Sequence, residues 1–150
     1  MTSEHDLGPH LRRRLTYLLK RALVSLDELH ETHLADSGIN VRELGVLLLL
    51  ADREPGSQQQ AAERLGVDRT SMVALLDVLE AKSLVVRRPD AADRRRNVVE
   101  ITDTGRATLA EATRASDDAE RELLSVLGDA DATLLRDLLD RINVGGPRGS

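Results

Sequence analysis

The sequence predicts a mainly α fold with one small β-hairpin, in the order α-α-α-α-β-β-α-α. Three observations predict it. Leu and Ala recur at three- and four-residue spacing through most of the chain, the period of an amphipathic helix. Only two β-prone runs interrupt them, Leu84-Val85-Val86 and Val98-Val99-Glu100-Ile101, on either side of a polar segment. Capping residues, Gly or Pro mark most of the joints.

The first helix reads as residues 9–34, opened by Pro9 in its first turn and carrying Leu11, Leu15, Leu18, Leu19, Leu23, Leu26 and Leu29. At 1.5 Å per residue it would span roughly 39 Å, more than a domain of this size needs to cover its own core. That length points to a helix shared with a second chain. After Asp36-Ser37-Gly38, Asn40 and Glu43 have the spacing of a capping box and open an apolar helix to about Arg53. Pro55-Gly56 ends it. Ser57 and Gln60 form a second capping box for a helix to Leu65, Gly66 makes a turn, and Asp68 caps a helix from Arg69 to about Lys82. The two short strands follow. A long helix then runs from Thr102 or Asp103 to about Leu127, Gly128 stops it, and Asp129 caps the last helix. Gly145–Ser150 is expected to be a flexible tail.

Composition narrows the function classes. The chain has 150 residues, which suits one domain, 1–150, with its own core. It has no Cys, which excludes disulfides, Cys-ligated zinc, iron–sulfur centres and thiol chemistry. Tyr17 is the only aromatic residue, so base-stacking platforms for single strands are excluded as well. Net charge is −5, yet the charge is uneven: Arg87 to Arg96 holds five Arg against Asp90 and Asp93. The first ten residues, with Glu4, Asp6 and Pro9, do not resemble a secretory signal. The longest apolar run, Leu44–Ala51, is far short of the about twenty residues that span a bilayer. A cytoplasmic protein with no membrane partner is expected.

Residues 57–82 carry the strongest functional signal. Ala62, Gly66 and Met72 have the spacing of two helices crossing closely through a tight turn, with Leu65, Val67, Leu76 and Leu79 as core. This is the pattern of a helix-turn-helix. Asp68, Arg69, Thr70 and Ser71 then stand at the N-terminus of the second helix, where base edges and phosphates are met in a major groove. Val73 and Ala74 can touch thymine methyls. A β-hairpin with a basic tip directly after such a unit forms a winged helix, whose wing can lay Arg in the narrow minor groove. The wing candidates are Arg87, Arg88, Asp93, Arg94, Arg95 and Arg96, with Asp93 able to hold the Arg95 side chain by a charge-assisted hydrogen bond. Ser57, Gln58, Gln59 and Gln60, at a helix start, are candidate phosphate contacts.

The segment LGVDRTSMVALLDVLEAKSLVVRRPDAADRRRNVVEITDTGR resembles the core of the MarR family of bacterial regulators, most specifically in Asp93-x-Arg95, Ile101-Thr102 and Gly105. The resemblance covers about residues 9–143. It implies a winged helix-turn-helix lobe (40–102) on a helical dimerisation body (9–34 and 103–143), a homodimer, and double-stranded DNA with a pseudo-palindromic operator as partner. Arg95 takes the minor-groove position, with Asp93 its orienting partner. Dimer contacts would come from Leu11, Leu15, Leu123, Leu127, Leu134, Leu135, Leu138, Leu139 and Ile142. A small aromatic or anionic effector would bind near Arg14, Tyr17, Leu18, Arg42 and Leu47. The chain departs from the family at Ala74 and Val78, where polar residues are common, and at Ser83, where Gly is common.

Other readings compete. No nucleophile motif or phosphate loop supports an enzyme. His30 and His33 are three apart, not the four of a zinc protease helix, and no metal or cofactor is expected. A winged helix that binds protein instead of DNA, or an activator using the same residues, fits the same sequence.

Overall fold

The computed structural model describes residues 7–52 and 55–146. Helix α1 is the single turn Gly8–Leu11, and α2 runs Leu15–His33. The sequence reads these as one helix over 9–34, and the structure corrects that. The Arg14 N–H bonds to the Leu11 carbonyl at 3.0 Å, a tight i to i−3 turn, and the helix restarts when the Tyr17 and Leu18 N–H groups reach the Arg14 carbonyl. Arg12, Arg13 and Arg14 put three like charges in this one turn, all exposed. Apolar spacing cannot see the break, because Leu11 and Leu15 are four apart on either path.

Helix α3, Val41–Ala51, starts on the expected capping box: Asn40 Oδ1 accepts from the Glu43 N–H and Glu43 Oε1 from the Asn40 N–H. Strand β1 is Gly56–Ser57, and α4, Gln58–Leu65, starts on the Ser57–Gln60 box. Gly66 then takes the left-handed conformation, φ +66°, that turns the chain into α5, Arg69–Ala81. Strands β2 (Val85–Pro89) and β3 (Asn97–Ile101) form the hairpin, in register from Val85 opposite Ile101 to Pro89 opposite Asn97. The sheet has three strands in the order β1-β3-β2, not the two of the hairpin alone. The added pairs are Gly56 with Val99 and Ser57 with Val98. Pro55-Gly56 reads as a helix stop and hides this strand, since two residues are too few for a β pattern.

Helix α6 is Asp103–Leu123, followed by a 3-10 turn at Leu124–Val126, and α7 is Asp129–Gly145. The expected run to Leu127 fails because the Leu127 N–H turns back to the Leu124 carbonyl and Leu127 is already extended. Gly128, not Asp129, occupies the N-cap of α7. Gly145 ends that helix, and most of the expected tail, 147–150, lies outside the described residues.

The chain divides into two compact units, one within 30–117 and one within 1–29 and 118–150. The first holds a dense core in which Val46, Leu47, Met72, Leu76, Leu79, Val85 and Val99 are fully buried. Each such side chain contributes about 1.5–3 kcal/mol relative to exposure. Buried Glu43 is fully used: besides its capping role, its Oε2 accepts from Lys82 Nζ at 2.8 Å, and Lys82 also donates to the Gly38 carbonyl.

The root of the hairpin is closed by a compact junction. Ser83 has φ +62°, an uncommon backbone conformation for a residue with a side chain. Its carbonyl accepts from the Thr102 hydroxyl at 2.7 Å, and the Thr102 N–H donates to the Leu84 carbonyl. Gly105 passes so close that an added Cβ would lie 2.1 Å from the Leu84 carbonyl oxygen. Only glycine fits there.

Candidate nucleic-acid interface

Helix α5 is built as the second helix of a helix-turn-helix. Met72, Leu76 and Leu79 lock one face into the core. Arg69, Thr70, Ala74 and Val78 are exposed, and Ser71 and Val73 are half-buried. Asp68 is the cap: Oδ1 accepts from the Ser71 N–H at 2.7 Å and Oδ2 from its hydroxyl at 2.8 Å. Those bonds, the backbone one first, hold the Asp68 carboxyl below its ordinary range. The Ser71 hydroxyl is thereby spent on the cap, while Arg69 beside it has no ion pair among the described residues.

The wing sorts its arginines into paired and unpaired groups. Arg87 Nη2 lies 2.5 Å from Asp77 Oδ1 and 3.0 Å from Glu80 Oε1, and its side chain is only 18% exposed. The Arg87 N–H also donates to Glu80 Oε2 at 3.1 Å. Hydrogen bonds donated by Arg87 hold the Glu80 carboxyl down, and its bonds to Glu80 and then to Asp77 raise the Arg87 guanidinium. Arg88 pairs with Glu100 on the neighbouring strand, and Arg96 Nε stands 3.8 Å from Asp93. Among the described residues, the Arg94 and Arg95 side chains have no partner and are exposed. The tip carries two free guanidinium groups.

Three expectations change. Arg87 is not free to meet a phosphate, because two carboxylates of α5 hold it. Asp93 does not hold the Arg95 side chain: its Oδ1 accepts from the Arg95 backbone N–H at 3.1 Å, shaping the turn and leaving the guanidinium loose. Leu47, expected at an effector site, is fully buried in the core and can line nothing. At α4, Ser57 Oγ and Gln60 Oε1 are occupied by the capping box, and Gln58 Oε1 is buried without a partner. Gln59 stays exposed. The partners of Arg87 were missed. Their signal was an acidic pair three apart on one helix face, Asp77 and Glu80, followed seven residues later by Arg.

A model of the MarR family matches residues 37–96. A curated relative from Thauera aromatica, a putative transcriptional regulatory protein for the hcr operon, is 30% identical over 137 residues, covering 91% of this chain and 78% of that one. The chain belongs to the MarR family. It is a DNA-binding transcriptional regulator and not an enzyme. The solved transcriptional repressor CouR, bound to a 23-mer DNA duplex, superposes with a TM-score of 0.85 at 34% identity, covering 90% of this chain and 96% of that one. CouR from Rhodococcus jostii RHA1 bound to p-coumaroyl-CoA gives 0.77 at 29%, over 90% and 95% of the two chains.

Within this MarR-family chain, the remaining candidates fall as follows. Tyr17 lines a cleft of about 340 Å³ with Lys20, Arg21, Val24 and Glu28. Arg14 and Leu18 are exposed and outside it. Arg42 lines a different cleft of about 270 Å³ beside α5, with Ser71, Ala74 and Val78. Leu15, Leu127, Leu134, Leu135, Leu138, Leu139 and Ile142 are all exposed in the single chain, and Leu11 and Leu123 are half-buried. His30 is buried with Nε2 2.8 Å from Ser116 Oγ, a packing role. Among the described residues, no helix is long and apolar enough to cross a membrane.

Proposed function

We propose that the chain acts in the cytoplasm as a homodimeric repressor on a pseudo-palindromic operator and is released by a small aromatic or anionic effector. The observation that carries this reading is the sorting of charge on the DNA-binding lobe. Among the described residues, the side chains of Arg69 at the capped start of α5 and of Arg94 and Arg95 at the wing tip have no ion pair, while the other wing arginines are neutralised within the fold. Free guanidinium groups at these two places match one reader in the major groove and one in the minor groove. CouR, the relative solved on a DNA duplex, supports the repressor role.

The exposed leucines of α2 and α7 support a homodimer, since large apolar side chains gathered on exposed helices mark association surfaces. Two lobes related by a two-fold axis would read half-sites about one helical turn, roughly 10 bp, apart. The relative that binds p-coumaroyl-CoA supports an effector with an aromatic ring and negative charge. The Tyr17 ring and the Lys20 ammonium in their cleft suit that chemistry.

The test is enrichment of duplexes from a random-sequence pool by the purified protein, then fluorescence anisotropy of the winner at two salt concentrations. Enrichment of an inverted repeat, with affinity falling as salt rises, is expected. No enriched sequence would favour the protein-binding alternative, to which the apolar Ala74 and Val78 on the exposed side of α5 lend some support. Aromatic carboxylates and their coenzyme A thioesters added to the preformed complex then test release.

A further inference from the structure

Helix α5 poses an electrostatic question. A helix that meets a polyanion carries Asp77 and Glu80 on its exposed side, within four residues of each other. Both carboxylates converge on one side chain from the wing. Arg87 Nη2 reaches Asp77 Oδ1 at 2.5 Å and Glu80 Oε1 at 3.0 Å, and the Arg87 backbone N–H reaches the second oxygen of Glu80 at 3.1 Å. Arg87 sits in β2, opposite Val99 of β3. One residue therefore ties the wing's first strand to the recognition helix by side chain and backbone together.

We propose that Arg87 is a positioning residue: with Asp77 and Glu80 it sets the angle between recognition helix and wing, so that Arg69 and Arg95 reach their grooves at once. This rests on the DNA-binding reading above. Arg87 Nη2 donates to both carboxylates from a rigid planar group, so it fixes their direction more closely than the mobile ammonium of a lysine would. Without the clip, the hairpin stays paired through its backbone, and its direction relative to α5 rests on its root alone, where the Leu84 N–H meets the Leu79 carbonyl and Leu84, Val85, Val99 and Ile101 are buried.

The experiment uses the full chain and the duplex enriched by the wild-type protein, with Arg87→Ala, Arg87→Lys and the double variant Asp77→Asn/Glu80→Gln. Wild-type binding to that duplex establishes the underlying reading independently. Arg87→Ala should bind about 5- to 150-fold more weakly, the size of one lost groove contact, with the slope of log affinity against log salt unchanged. Arg87→Lys should fall between the two. A slope reduced by about 0.9 would instead make Arg87 a phosphate contact and overturn the proposal.

The double variant gives the opposite sign for the two explanations. Removing two negative charges strengthens DNA binding if only bulk electrostatics matter. Loss of positioning weakens binding to the enriched duplex, and binding to a scrambled duplex stays equal or rises. Tighter binding to the enriched duplex overturns the proposal. Circular dichroism and thermal unfolding of each variant identify any that fail to fold, and the double variant keeps the test open if Arg87→Ala does so.

Discussion

The two units of this chain treat their apolar residues in opposite ways. Among the described residues, fifteen of the sixteen buried hydrophobic side chains lie within 30–117, and only Ala119 lies in the other unit. Fourteen of the seventeen exposed large hydrophobics lie within 1–29 and 118–150, including Leu134, Leu135, Leu138 and Ile142 on one helix. The DNA-binding lobe satisfies itself. The terminal helices expose their apolar side chains in the single chain, and in the proposed homodimer the helices of a second copy would cover them. Recognition and assembly are thus divided between parts that need different things to be stable.

The largest expected effect breaks the contrast at the terminal helices. Leu138→Asp places an unpaired charge in the proposed dimer interface, at about 3–5 kcal/mol per copy. Sedimentation velocity should show loss of self-association, and operator affinity should collapse with it. A variant that remains dimeric would remove α7 from the interface.

The next acts on the lobe alone. Gly105→Ala drives a Cβ into the Leu84 carbonyl, which is backbone and cannot swing away, so about 3 kcal/mol of destabilisation is expected. Urea denaturation measures it. Arg95→Ala should leave that stability untouched and weaken binding to a site with A·T-rich flanks by about 1–3 kcal/mol, read by anisotropy. An equal loss on G·C-rich flanks would place Arg95 on phosphate rather than in the minor groove.

Ser83→Gly sharpens the contrast in the other direction. It relieves a left-handed residue and should stabilise the lobe by up to about 1 kcal/mol in the same denaturation assay. The smallest effect is one of pH. Asp68 has a lowered carboxyl pKa in the fold, so its capping contribution is complete above the ordinary aspartate value of 3.8 and is lost only as pH falls through the lowered one. Above pH 5, Asp68→Asn should therefore show the same pH dependence of unfolding as the wild type.

Local rules made most of the fold legible. Both capping boxes, the Gly66 turn, the Asp68 cap and the hairpin follow from residues within a few positions of one another, and the structure has them all. What stayed hidden depends on distant partners or on competition within one turn. The α1–α2 break lies under unbroken apolar spacing. Strand β1 exists only because β3 lies beside it, more than forty residues later. The site was legible by residue type but not by use: Arg87 and Arg95 look alike in sequence, and only the placement of Asp77 and Glu80 separates a structural arginine from a free one. Leu47 was misplaced for the same reason, since one leucine in a run of four gives no sign of which faces the core.

The wing is closed twice, at its root by Thr102, Ser83 and Gly105 and at its tip by the Asp90 N–H on the Arg96 carbonyl at 2.9 Å. Residues 91–96 are all exposed and take no part in the core. The tip is thus a replaceable cassette. Apart from Asp90 and Asp93, whose carboxylates hold the turn, its side chains can change with little effect on the folding of the lobe. If the tip reads the minor groove as proposed, that preference could be retuned there while the helix-turn-helix keeps its own.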